Sequence, residues 1–138
     1  MATTPAFIAN SNIGFARPIV ANVASNGTGT LYDLITAVAS GTRVDRISIV
    51  NSQPSYSTPA ALLVRFFITD TSGSNPRLIE EAAMASVIKS ATSLGPANAI
   101  YFPGGLFLAS GQILKCAVTV YTAGGPNQVD VIAYGGDM

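Results

Sequence analysis

The sequence predicts an all-β fold, a single-domain antiparallel β-sandwich of the jelly-roll kind, on three observations. The chain has 138 residues, about one domain's worth and enough to bury one core of its own. Its 13 Gly and 8 Pro cut it into strand-length pieces about 8–12 residues apart, the rhythm of a sandwich. Over residues 60–70, Leu62, Val64, Phe66 and Ile68 alternate with Leu63, Arg65, Phe67 and Thr69, the period of two expected of a strand with one dry face.

Taken in order, residues 13–23 read as extended, residues 30–38 follow the turn pair Asn26-Gly27, and residues 43–51 follow Ser40-Gly41. The 60–70 strand runs into the turn formers Thr71-Ser72-Gly73-Ser74-Asn75-Pro76. Further strands are expected at 99–102, 106–108, 113–121 and 128–134, the last two joined through the Gly- and Pro-bearing residues 122–127. Residues 77–90 leave one short helix open. Glu80, Glu81, Ala82, Ala83, Met84 and Ala85 form helices better than strands, and the acids precede Lys89 as a helix dipole favours.

Residues 1–20 stand apart from the sandwich proper at 21–138. Phe7, Ile8, Ile13, Phe15, Ile19 and Val20 make the stretch too apolar for a free tail, while Pro5, Gly14 and Pro18 interrupt it too often for a central strand. An extended arm docking on another subunit and an edge strand of the chain's own sheet both satisfy that pattern. Phe7, Ile8 and Phe15 are its candidate contacts.

Composition points to assembly. Only 10% of residues are charged, against roughly 25% in a typical soluble domain. The surface is instead supplied by 12 Thr, 13 Ser and 8 Asn, whose hydroxyls and amides exchange water for a neighbouring backbone group at little net cost, whereas an unpaired charge does not. A chain that is 49% hydrophobic with such a surface suits life against other proteins, and a closed homo-oligomer is expected.

The same inventory excludes several function classes. Seven basic and seven acidic residues cancel, leaving no field to draw nucleic acid or anionic lipid, and only Arg65-Phe66-Phe67 places a base beside aromatics. The longest uncharged run, residues 90–114, is cut by Gly95-Pro96, Pro103-Gly104-Gly105 and Gly111 and does not read as a membrane span, and the N-terminus lacks the basic and apolar regions of a signal peptide, so synthesis in a cytoplasm is expected. With no histidine, neither a Ser-His-Asp nor a Cys-His arrangement can form, nor can the usual zinc sets. The acids are scattered without calcium-loop spacing. Glu80 and Glu81, adjacent on a strand, point to opposite faces and cannot flank one glycosidic bond. No enzymatic activity and no cofactor or metal is therefore expected. Cys116, alone in an apolar run, reads as a small buried hydrophobe. Gly27-Thr28-Gly29 lacks the third glycine of a dinucleotide fingerprint and reads as a turn. Asn26-Gly27-Thr28, though formally a glycosylation sequon, reads as a hairpin turn.

Three segments carry a resemblance: Ala39-Ser40-Gly41-Thr42-Arg43-Val44-Asp45-Arg46-Ile47, Leu63-Val64-Arg65-Phe66-Phe67-Ile68, and Val129-Asp130-Val131-Ile132-Ala133-Tyr134-Gly135-Gly136-Asp137. Together they resemble a family of small virion proteins of tailed bacteriophages and prophages, with a departure in the Met- and Ala-bearing residues 82–97. The resemblance implies a subunit of the virion, made in the host bacterial cytoplasm. Capsid decoration is the implied role, with the major capsid protein or another virion protein as partner and a homotrimer as the oligomer. A tail or neck component is the alternative, and the resemblance brings no catalytic residue.

Two further places are candidate contacts. In Arg43-Val44-Asp45-Arg46, Asp45 is expected on one face and Arg43 on the other, either as an intersubunit ion pair at a rim or as a solvated edge that discourages wrong pairing. Tyr56, in the loop 52–59, is the best candidate for the competing function, a carbohydrate- or receptor-binding jelly roll, because Trp is absent and a sugar platform needs an exposed amphipathic ring.

Overall fold

The computed structural model describes residues 9–53, 59–121 and 127–138, and Phe7, Ile8 and Tyr56 lie outside them. Eight strands run in the order β1 (Asn10–Ala16), β2 (Tyr32–Thr36), β3 (Thr42–Asn51), β4 (Leu62–Ile68), β5 (Arg77–Met84), β6 (Ala97–Leu108), β7 (Ile113–Val118) and β8 (Val129–Asp137). They form two four-stranded sheets, a front sheet ordered β1-β8-β3-β6 and a back sheet ordered β2-β7-β4-β5. Every ladder is antiparallel. The pairs β1 with β8, β2 with β7, β3 with β6 and β4 with β5 nest like one long hairpin rolled on itself, which is the jelly-roll form of the expected sandwich.

The core lies between the sheets. Val44, Ile47 and Ile49 of β3, Val131 and Ala133 of β8, Val64 and Phe66 of β4, and Leu114, Cys116 and Val118 of β7 are fully buried there. Leu62, Val64 and Phe66 follow the predicted alternation, but β4 has two dry sides. Phe67, and Ala117 opposite Arg65 on β7, are fully buried although they point away from the core.

What covers them is the connection from β1 to β2. Asn22 N–H bonds the carbonyl of Val118 at the end of β7, Arg65 Nη1 on β4 donates to the Val23 carbonyl at 2.7 Å, and Gly27 packs against the Pro76 carbonyl beside β5. The connection therefore crosses the back sheet strand by strand. Asn22 stiffens it by donating to the carbonyls of Thr28 and Thr30 at 2.9 and 3.0 Å.

Several expectations are corrected. No described residue is helical, and residues 77–84 form the edge strand β5, whose pairing with β4 buries Ala82 and Met84; that burial outweighs the modest helix propensity of Glu and Ala. The strands expected at 99–102 and 106–108 are one strand, because Pro103-Gly104-Gly105 bulges without ending it. The N-terminal extended run begins at Asn10 and stops at Ala16, before Pro18. Of the two readings of residues 1–20, Asn10–Ala16 forms an edge strand, paired along its whole length with β8 of the same chain.

The β4–β5 turn is organised by one carboxylate. Asp70 Oδ1 accepts from the Ser72 hydroxyl at 2.6 Å, the Ser72 N–H at 3.0 Å and the Ser74 N–H at 2.9 Å, while Asn75 Nδ2 donates to Oδ2 at 2.7 Å. These donors, the Ser72 hydroxyl foremost, lower the Asp70 pKa from 3.8 to about 2. Because the folded value lies below the unfolded one, the stabilisation is complete above about pH 4 and is lost as pH falls through about 2. The variant Asp70→Ala is therefore expected to be less stable than the parent at pH 7, with the gap closing below pH 2. Urea midpoints separated equally at both pH values would show that the carboxylate does not organise this turn.

Candidate interaction surface

The connection crosses the middle strands of the back sheet, whereas no segment of the described residues crosses the outside of the front sheet, which is a broad bare face. Its side chains are set by cross-strand register. Ile13, Tyr134, Arg46 and Tyr101 lie opposite one another across all four strands, as do Phe15, Ile132, Ser48 and Ala99 in the next row, and Ser11, Gly136, Arg43 and Phe107 in a third. Three rings are strongly exposed: Phe15 at 69%, Tyr101 at 66% and Phe107 at 54%. Beside Phe15 a shallow hollow of about 480 Å³ is lined by Ala16, Arg17, Asp130, Val131 and Ile132.

The face owes its shape to a double bulge. On β3, Val44 pairs with Gly135 and Arg46 with Tyr134, so Asp45 is an extra residue against β8. On the other side, Val44 pairs with Leu106 and Arg46 with Tyr101, so residues 102–105 of β6 arch out opposite Asp45. A bulge shifts the alternation by one, which lets Val44 and Ile47, three apart, both enter the core while Asp45 and Arg46 both face outward. Gly105, at φ +88°, is required in the arch because a Cβ there would run into the Arg43 side chain.

The bulge corrects the expectation for Arg43 and Asp45. They do not diverge: Arg43 Nη2 donates to Asp45 Oδ2 at 3.3 Å, and Nε lies 2.8 Å from Oδ1 without hydrogen-bond alignment. Nor are they at an edge, since β3 is paired on both sides. They form an intrachain pair on the open face of a central strand. Arg46 lies 4.2 Å from the ring centroid of Tyr134, a cation–π contact. Arg17 grips Asp130 with Nε at 2.5 Å and Nη2 at 2.8 Å. That hydrogen bond holds the Asp130 carboxyl below the usual carboxylate range and raises Arg17. Every charged side chain on this face thus has a partner within the chain. Exposed pairs of this kind add only about 0–1 kcal/mol each to stability, so their main effect is to cancel charge on this face, where Arg46, set against a neutral ring, keeps its own.

Of the residues picked from sequence, Phe15, Arg43 and Asp45 come together on this face. Tyr101, Phe107 and the Arg46–Tyr134 pair were not singled out; only register joins them, and no local pattern marks them. Cys116 lies in the core, and burial, with a smaller push from Asp33, raises its thiol to about 12, leaving it protonated at neutral pH. Among the described residues no group of three or more His, Cys, Asp or Glu is close enough to hold a metal, and no helix is long and apolar enough to cross a membrane.

The chain thus belongs to the class of small jelly-roll β-sandwiches, with its back sheet crossed over the middle strands by the β1–β2 connection and its front sheet presenting three exposed rings. In comparisons with known proteins, the chain matches no family model and no curated sequence.

Proposed function

We propose that this chain is a non-enzymatic structural subunit of a tailed-bacteriophage virion, a decoration protein that binds the outer capsid surface, stabilises the head and assembles as a closed homo-oligomer. The observation that carries its assembling part is the bare front face. It carries the exposed rings Phe15, Tyr101 and Phe107, its Arg17–Asp130 and Arg43–Asp45 charges are paired within the chain, and it lies opposite a back sheet whose middle strands the chain itself crosses. Such a face is cheap to desolvate and gains from burial at about 25 cal/mol per Å² of apolar surface. The virion setting, the capsid as partner and the three-fold order come from the sequence resemblance.

Purified protein added to particles that lack it should appear by electron microscopy as discrete features at symmetry-related positions on the head. Features on the neck or tail would move the subunit there. Because the contacts are neutral, binding should survive a rise in salt from about 0.05 to 0.5 M. Protein that stays in the supernatant, or leaves the particle over that range, would overturn the reading.

A second reading, a carbohydrate- or receptor-binding module, is favoured by one observation. Tyr101 is a strongly exposed ring on the same face as the Arg43–Asp45 pair, the mix of platform and polar groups that sugars require. Binding on a glycan array that disappears in Tyr101→Ala would select it.

A further inference from the structure

We infer that the front face is a contact between two copies of this chain, stacked face to face about a two-fold axis that runs along the strands between β8 and β3. This rests on the reading of the chain as an assembling subunit; it gives that face to a second copy, leaves capsid binding to the rest of the surface, and sets a two-fold contact where the resemblance implies three-fold order. Two facing sheets cannot be related by an axis perpendicular to them, because both faces would then point the same way, so the axis lies in the plane between them. An axis along the strands lays β1 of one copy over β6 of the other, and β8 over β3.

The cross-strand rows are complementary under that exchange. Phe15, exposed on β1, falls on Ala99 of the second copy, and Ile132 on Ser48. In the next row Ile13 falls on Tyr101, and Tyr134 on Arg46. In the third, Phe107 falls on Ser11, and Arg43 on Gly136. In most of these pairs a bulky side chain meets a small one, the arrangement that fills the space between packed layers. An axis across the strands would instead lay β6 on β6, bringing its exposed rings Tyr101 and Phe107 together at one edge of the contact.

Charge agrees with shape. Arg43 keeps Asp45, and Arg46, which flanks the axis in both copies, already lies over Tyr134 of its own chain and would meet a second Tyr134 ring from the other copy, so each guanidinium sits between two rings in this isologous contact. Size agrees as well. Four strands about 4.8 Å apart and about nine residues long project a face on the order of 500 Å². With side-chain relief added, this approaches the ~800 Å² of accessible surface per partner in a standard interface.

The test is a swap. Phe15→Ala opens a hole and Ala99→Phe sets ring against ring, so each should weaken self-association by at least about tenfold in sedimentation, with circular dichroism unchanged because both positions lie outside the core. The double variant Phe15→Ala/Ala99→Phe exchanges knob and hole and should recover most of the loss. In addition, Ser48→Cys should be joined into a two-chain species by a short bismaleimide, Cys116 being fully buried and silent. A three-chain assembly insensitive to Phe15→Ala, or one that gives no Ser48→Cys crosslink, overturns the two-fold contact and leaves the assembling subunit standing. Protein that is monomeric at tens of micromolar also overturns it, and the wider reading falls only when particle binding fails too.

Discussion

Phe66→Ala is expected to lower the free energy of unfolding by about 3–5 kcal/mol, the usual cost of deleting a fully buried ring. Phe66 sits on β4, between β7 and β5 in the back sheet, and its ring is completely buried in the cluster between the sheets. Its neighbours are held by ladders on both sides, Cys116 on β7 and Glu80 on β5, so the sheet cannot collapse into the gap and the cavity stays open. Since a domain of this size is stable by about 5–15 kcal/mol, the variant should stand near the edge of folding. The measurement is the urea midpoint at constant m-value. A loss below about 1 kcal/mol would mean that the two sheets are not keyed together by this side chain.

Much of the fold was legible because its strands carry their own period. The alternation of Leu62, Val64 and Phe66 marks β4, and Asn-Gly and Ser-Gly pairs mark the turns before β2 and β3. The errors lie where local preference and long-range pairing disagree. Residues 77–84 have helical composition, yet burial of Ala82 and Met84 against β4 makes them a strand. Pro103-Gly104-Gly105 has the composition of a chain break, yet β3 holds both halves in one ladder and turns the glycines into an arch. Arg43-Val44-Asp45-Arg46 hides a shift of period, since nothing local says that Asp45 is the residue left over. The candidate surface was legible only in part for the same reason. Phe15 could be picked as too apolar for its setting, whereas the alignment of Tyr101, Arg46, Tyr134 and Ile13 depends on the register of three ladders, which a single sequence does not contain.

Gly135→Ala is expected to cost about 2–4 kcal/mol, combining overpacking with lost ladder hydrogen bonds. Gly135 lies on β8 opposite Val44, at the step where Asp45 is squeezed out of register. An added Cβ would overlap the Arg43 carbonyl oxygen and press on the Arg43 carbonyl carbon and Val44 Cα at 2.9 and 3.0 Å. These are backbone atoms of a strand paired on both sides, so relief requires β3 and β8 to move apart in the middle of the sheet. A useful control is Gly104→Ala, where φ is +79° but a Cβ would meet nothing within 4 Å; there only the left-handed backbone is penalised, at about 1 kcal/mol. The difference between the two variants isolates the close approach of β3 and β8 from the conformational cost of replacing glycine. Because the same bulge turns Asp45 and Arg46 outward, Gly135→Ala should also disturb the Arg46–Tyr134 contact and weaken whatever the front face binds. Thermal unfolding that finds Gly135→Ala no more costly than Gly104→Ala would show that the bulge tolerates a side chain, and that the geometry of the face does not depend on this glycine.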